Sequence, residues 1–97
     1  MTTTTPQDYG TIFFTSKLTS RISPVDVYVG TLIRARRKEL KISQTSLGRQ
    51  IGVTFQQIQK YESGANRISL GRFFQLCRGL NVDADYFFDK LRDANFI

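Results

Sequence analysis

The 97-residue sequence has no histidine and a single cysteine, Cys77. Without them there is no imidazole to act as general base, no His/Cys set for zinc, and no second thiol for an intrachain disulfide. The lone thiol fits a reducing compartment, and a cytoplasmic location is expected. No run of about eighteen apolar residues is present to span a bilayer. The opening MTTTTPQDYG lacks the basic flank and apolar core of an export signal. Neither a membrane, a metal nor a cofactor is therefore expected as a partner. Internal repeats and long low-complexity tracts are also missing. No acid, base and nucleophile lie near one another in sequence, and the length leaves no room for a substrate cleft, which makes an enzyme the least favoured class.

Acidic residues are scarce in one region in particular. Fourteen Lys and Arg against eight Asp and Glu give a net charge of +6. Between Thr31 and Arg78, ten basic residues (Arg34, Arg36, Arg37, Lys38, Lys41, Arg49, Lys60, Arg67, Arg72, Arg78) meet only Glu39 and Glu62, a net +8. The first thirty residues are neutral, and the chain from Gly79 onward is −2. The positive field belongs to the middle of the chain. It favours a polyanionic partner, although basic charge alone does not specify nucleic acid.

The apolar share of 40% suffices for one compact core. Residues 1–22 read as an arm, flexible or partly packed. Its cluster of Tyr9, Ile12, Phe13, Phe14, Leu18 and Ile22 could pack on the domain or on a second copy. Residues 23–91 read as five helices packed as one all-α unit, and residues 92–97 as a tail that is a possible dimer contact. The first helix is expected to start at Ser23-Pro24, bury Val29, Leu32, Ile33 and Leu40, and end at Lys41 or Ile42. Ser43 caps a second, Gln44 to about Ile51, that buries Leu47 and Ile51 and stops at Gly52; Gly48 would allow close approach of another helix. Thr54 caps a third, with Ile58 and Tyr61 inward and Gly64 at its end. Ser69 caps a fourth, whose expected core stripe is Leu70, Phe73, Phe74, Cys77 and Leu80, with Arg72 and Arg78 on a solvated face. Asn81 and Asp83 lead to a fifth carrying Phe87, Phe88 and Leu91.

The third helix leaves Phe55, Gln56, Gln57, Gln59 and Lys60 for the side away from the core. A major groove admits one α-helix, Gln pairs with the N6/N7 edge of adenine, and a ring can touch the thymine methyl. A plain polar solvent face is the alternative reading of those residues. Gln44 and the start of the second helix could hold a phosphate. Two helix starts bearing amides, a glycine turn between them and a basic surround together point to a helix-turn-helix.

The run SQTSLGRQIGVTFQQIQKYESG, with IRARRKEL before it and DYFF after it, resembles the Cro/repressor-type helix-turn-helix family of bacterial and phage regulators, the XRE family. The likeness covers Val29 to Leu91, carried by Gln44, Leu47, Gly48, Ile51, Gly52, Val53, Ile58, Tyr61, Glu62 and Gly64. It implies a compact five-helix, repressor-like DNA-binding domain. By the resemblance, Ser43 and Gln44 lie at the phosphate backbone, Gln44 also bracing the recognition helix. Phe55, Gln56, Gln57 and Lys60 face the major groove, Thr54 lies close to a phosphate, and Asn66 and Arg67 grip the backbone. An ion pair between Arg37 and Glu62 is also implied. Glu62 is the one acid between Lys41 and Asp83, and a carboxylate beside a DNA face needs neutralising. Gly48, where the family more often has Ala, and the large Phe55 depart from its usual pattern.

The expected function is sequence-specific binding of double-stranded DNA as a transcriptional regulator, chiefly a repressor. It would act as a homodimer on a pseudo-palindromic operator, with two copies of the third helix about 34 Å apart. The alternative is an adaptor or antitoxin of the same fold that takes a protein partner through the N-terminal arm. Cys77 is expected in the core, with redox sensing as the lesser alternative.

Overall fold

The computed structural model describes residues 22–97; of the expected arm only Ile22 falls within them, and the Tyr9 to Leu18 cluster lies outside. Among the described residues five helices follow one another: α1 Pro24–Glu39, α2 Gln44–Ile51, α3 Phe55–Ser63, α4 Leu70–Gly79 and α5 Ala84–Asp93. There is no strand among the described residues. The all-α, five-helix unit expected from the sequence is what forms.

Each helix begins on a side-chain oxygen that accepts an otherwise unpartnered backbone N–H. Ser23 accepts from Val25 and Asp26, Ser43 from Ser46, Thr54 from Gln57, Ser69 from Arg72 and Asp83 from Tyr86. The ends share a second device. Lys41, Gly52, Gly64, Asn81 and Asn95 all take positive φ. The N–H after each returns to the carbonyl five residues back: Ile42 to Arg37, Val53 to Gly48, Ala65 to Lys60, Val82 to Cys77 and Phe96 to Leu91. Of these, Ile42, Val53, Val82 and Phe96 pack on the core, so most of the turns are tied down by their own apolar residue.

This device explains why α1 stops at Glu39 rather than at Lys41 or Ile42. Leu40 is the cap, Lys41 turns left-handed at φ 60°, and Ile42 points inward. At Gly48 the close neighbour is not another helix: an added Cβ would meet the Val53 carbonyl oxygen of the following turn at 2.5 Å. The helix-to-helix approach falls at Gly30, where a Cβ would lie 2.5 Å from the carbonyl oxygens of both Tyr61 and Glu62. There α1 and α3 touch backbone to backbone.

Ile33, Leu47, Ile58, Leu76, Leu80 and Phe87 are sealed at the centre, with Val29, Ile51, Tyr61, Cys77 and Leu91 around them. The α4 stripe differs from the expected one. Leu70 is 67% exposed and Phe74 52%, while Leu76, absent from the expected stripe, is fully buried. Leu76, Cys77 and Leu80 are buried and Phe73 partly so, at the helical i, i+3, i+4, i+7 spacing counted from Phe73, and Leu70 and Phe74 fall on the rim. On α5, Phe87 and Leu91 point in, and Phe88 stays partly exposed. Phe96 folds back on Tyr28, with ring centroids 5.2 Å apart, leaving Ile97 as the exposed apolar residue of the tail.

Candidate nucleic-acid interface

The start of α2 and the end of α3 are joined to α1 by one largely buried polar cluster. Arg37 on α1 donates from Nε to Glu62 Oε2 at 2.6 Å and from Nη2 to Oε1 at 3.2 Å. Its Nη1 donates to the Ile42 carbonyl at 2.9 Å. Gln44 Nε2 donates to Glu62 Oε1 at 2.9 Å. The Glu62 carboxylate thus accepts three hydrogen bonds, and Arg37 and Glu62 are only 8% and 7% exposed. A fork-to-carboxylate pair of this kind fixes direction as well as distance. Through it α1, the α1–α2 turn, the first residue of α2 and the end of α3 are fastened together. Gln44 braces α3 by bonding Glu62, and its backbone lies at the amino end of α2.

With that end fixed, α3 divides into two faces. Ile58, Tyr61 and Glu62 are buried, whereas Phe55, Gln56, Gln59 and Lys60 are exposed and Gln57 is half-buried. Ser43 and Thr54 are exposed caps whose oxygens accept from Ser46 and Gln57. The amino ends of α2 and α3 flank an open depression of about 360 Å³ lined by Thr45, Arg49, Val53, Thr54, Phe55 and Gln56. Thr45 and Arg49 were not among the expected site residues. Their i, i+4 spacing on α2, off the Leu47/Ile51 face, was a readable signal for them.

The loop after α3 holds Asn66, half-buried, and Arg67, exposed. Arg67 lies near enough to Asp26 for its charge to act on that carboxyl. Burial raises the Asp26 pKa above its ordinary value, and the Arg67 charge opposes the rise. Two other arginines serve the scaffold. Arg72 Nη1 donates to the Ile51 carbonyl at the end of α2 (3.0 Å), so the expected solvated role does not hold for it. Arg36 Nε donates to the Leu80 carbonyl at the end of α4 (3.0 Å). Both place a cation on the negative end of a helix dipole. Among the described residues no cluster of His, Cys, Asp and Glu could hold a metal ion, and no helix is long and apolar enough to cross a membrane.

Two short helices set by a left-handed glycine turn, the second presenting a polar outer face, define a helix-turn-helix. The helix-turn-helix family pattern matches residues 33–87, and the chain belongs to that family, of the XRE/Cro type of transcription regulator. The chain is 48% identical over 77 residues to the uncharacterised HTH-type transcriptional regulator y4aM of Sinorhizobium fredii, an alignment covering 79% of this chain and 54% of that protein. It therefore spans about half the length of that relative. The crystal structure of the P22 c2 repressor in complex with a synthetic operator superposes with a TM-score of 0.56 at 36% identity, covering 60% of this chain and 88% of the repressor chain. The restriction-modification controller protein C.AhdI of Aeromonas hydrophila shares the fold, with a TM-score of 0.61 at 23% identity over 63% of this chain and 88% of its own.

Proposed function

We propose that this chain binds double-stranded DNA sequence-specifically as a transcriptional repressor, with α3 in the major groove. The observation that carries this reading is the division of α3: one face is locked by the buried Arg37–Glu62–Gln44 cluster, and the other offers an exposed row of Phe55, Gln56, Gln59 and Lys60. The resemblance to an operator-binding repressor supports it. In this reading Ser43 and Thr54 bring their hydroxyls and, with Gln44, the two helix amino ends to phosphates, Gln56 and Gln57 read adenine edges with Lys60 on the same groove-facing side, and Asn66 and Arg67 meet the backbone farther along.

A single copy has few base contacts, and we propose a symmetric dimer on a two-fold operator. The rim of α4 and α5, where Leu70, Phe74 and Phe88 are exposed, is the apolar surface for it. In the tail, Phe96 is engaged on Tyr28 and Ile97 is the apolar residue left exposed for such a contact. A Leu70→Asp, Phe74→Asp double variant is expected to halve the solution mass. An unchanged mass would place the dimer contact elsewhere.

The deciding experiment is repeated selection of random-sequence DNA by the purified chain at two salt concentrations, beside a Gln56→Ala, Gln57→Ala double variant. A two-fold motif that the variant fails to enrich is the expected result. Enrichment of nothing, with weak binding that vanishes in salt, would mean purely electrostatic attraction and would turn attention to a protein partner.

A further inference from the structure

Among the described residues, Phe55 makes no aromatic contact and takes no place in the core. It is 42% exposed, and it is neither in the hydrophobic core nor in the aromatic cluster of Phe73, Phe74, Phe87 and Phe88. It is the first residue of α3, beside the exposed amide of Gln56. Its neighbours around the open depression are of two kinds. Phe55, Thr45 and Val53 line it with a ring and methyl-bearing side chains, a mainly apolar wall, and Arg49 and Gln56 line it with polar groups. A wall of this kind at the tip of a groove-reading helix needs an apolar counterpart. The major-groove edge of B-DNA offers one such group, the C5-methyl of thymine; its other readable features are hydrogen-bond donors and acceptors.

We propose that Phe55, with Val53 and the Thr45 methyl, reads a thymine by enclosing its 5-methyl group, next to the base pair read by Gln56. The inference rests on the DNA-reading function above and names the chemistry of one of its positions. Phe55 is then a specificity residue that discriminates through a methyl group and forms no hydrogen bond to the base. Cytosine at that position loses the contact, and 5-methylcytosine, which carries its methyl at the same place, recovers part of it.

The test uses the operator selected by the full chain, with each thymine replaced in turn by deoxyuridine, which removes the methyl and nothing else. Burial of one methyl-sized group corresponds to about a fourfold change in affinity. The expected result is a loss of about that size at one thymine in each half-site, adjacent to the position relaxed in Gln56→Ala. In Phe55→Ala the same deoxyuridine is expected to change nothing, while the other positions keep their preferences. Equal thermal melting of Phe55→Ala and the parent excludes a folding defect, and Phe55→Leu is expected to restore part of the methyl dependence. An operator that is selected yet indifferent to every deoxyuridine overturns this inference alone, as does the same sensitivity persisting in Phe55→Ala. A chain with no sequence preference overturns the DNA-reading function and this inference with it.

Discussion

Glu62 accepts from three donors on two other segments, so its replacement by the uncharged isostere strands the Arg37 guanidinium in the interior. Breaking one side of a buried pair costs about 3–5 kcal/mol, whereas exchanging both partners for apolar residues is often close to neutral. Glu62→Gln is expected to lower the unfolding free energy by an amount in that range in urea titrations, and an Arg37→Met, Glu62→Met double variant to regain most of it. Equal loss in the single and double variants would show that the cluster acts by more than charge pairing. Cys77 makes a second prediction at this scale. Its thiol is buried, and burial first, then the Asp83 charge, raises its pKa. A raised thiol pKa favours the neutral form in the folded state, so the associated stability is complete below the unfolded thiol pKa of about 8.5 and is lost as pH rises beyond it. Compared with Cys77→Val, the parent should lose stability more steeply above that pH. Parallel profiles would assign the alkaline loss to other groups.

The helix boundaries were legible because their signals are local. A capping hydroxyl three residues ahead of an N–H, or a glycine in a left-handed turn, acts within one turn of chain and needs no neighbour from elsewhere. Ser43→Ala and Thr54→Ala are each expected to cost about 1 kcal/mol in thermal or urea unfolding. Gly30→Ala, which drives a methyl into two α3 carbonyls, is expected to cost about 1–3 kcal/mol. A stable Gly30→Ala variant would mean that α1 and α3 can separate slightly without loss. The register of α4 was less legible. A wide apolar stripe satisfies the helical period at Leu70 and Phe74 as well as at Leu76, and only the placement of α2 and α5 decides which of them is covered. The Gln44–Glu62 hydrogen bond was hidden for a similar reason: the residues are eighteen apart, and nothing local to either marks the other. The amide at a helix start had already put Gln44 in the expected site, the likeness to known regulators added its bracing of the third helix, and the geometry names Glu62 as its partner.

At the scale of the molecule, the basic charge of the middle of the chain divides between two tasks. Arg36, Arg37 and Arg72 donate to carbonyls or a carboxylate inside the fold, whereas Arg34, Lys38, Lys41, Arg49, Lys60 and Arg78 are exposed. Net charge alone therefore overstates what reaches a phosphate. Lys60→Ala is expected to reduce the slope of log affinity against log salt by about one, and Arg72→Ala to leave that slope unchanged while costing about 1–2 kcal/mol of stability. A changed slope for Arg72→Ala would move that residue to the DNA side. The two faces of α3 carry a longer-term consequence. Since Ile58, Tyr61 and Glu62 hold the helix in place and Phe55, Gln56, Gln59 and Lys60 hold almost nothing, substitutions at the latter four drift nearly free of folding selection. On the DNA-reading role proposed for that face, duplicated genes built on this scaffold diverge in address within a few mutations, and regulatory circuits are insulated from one another before the rest of the sequence has noticeably changed.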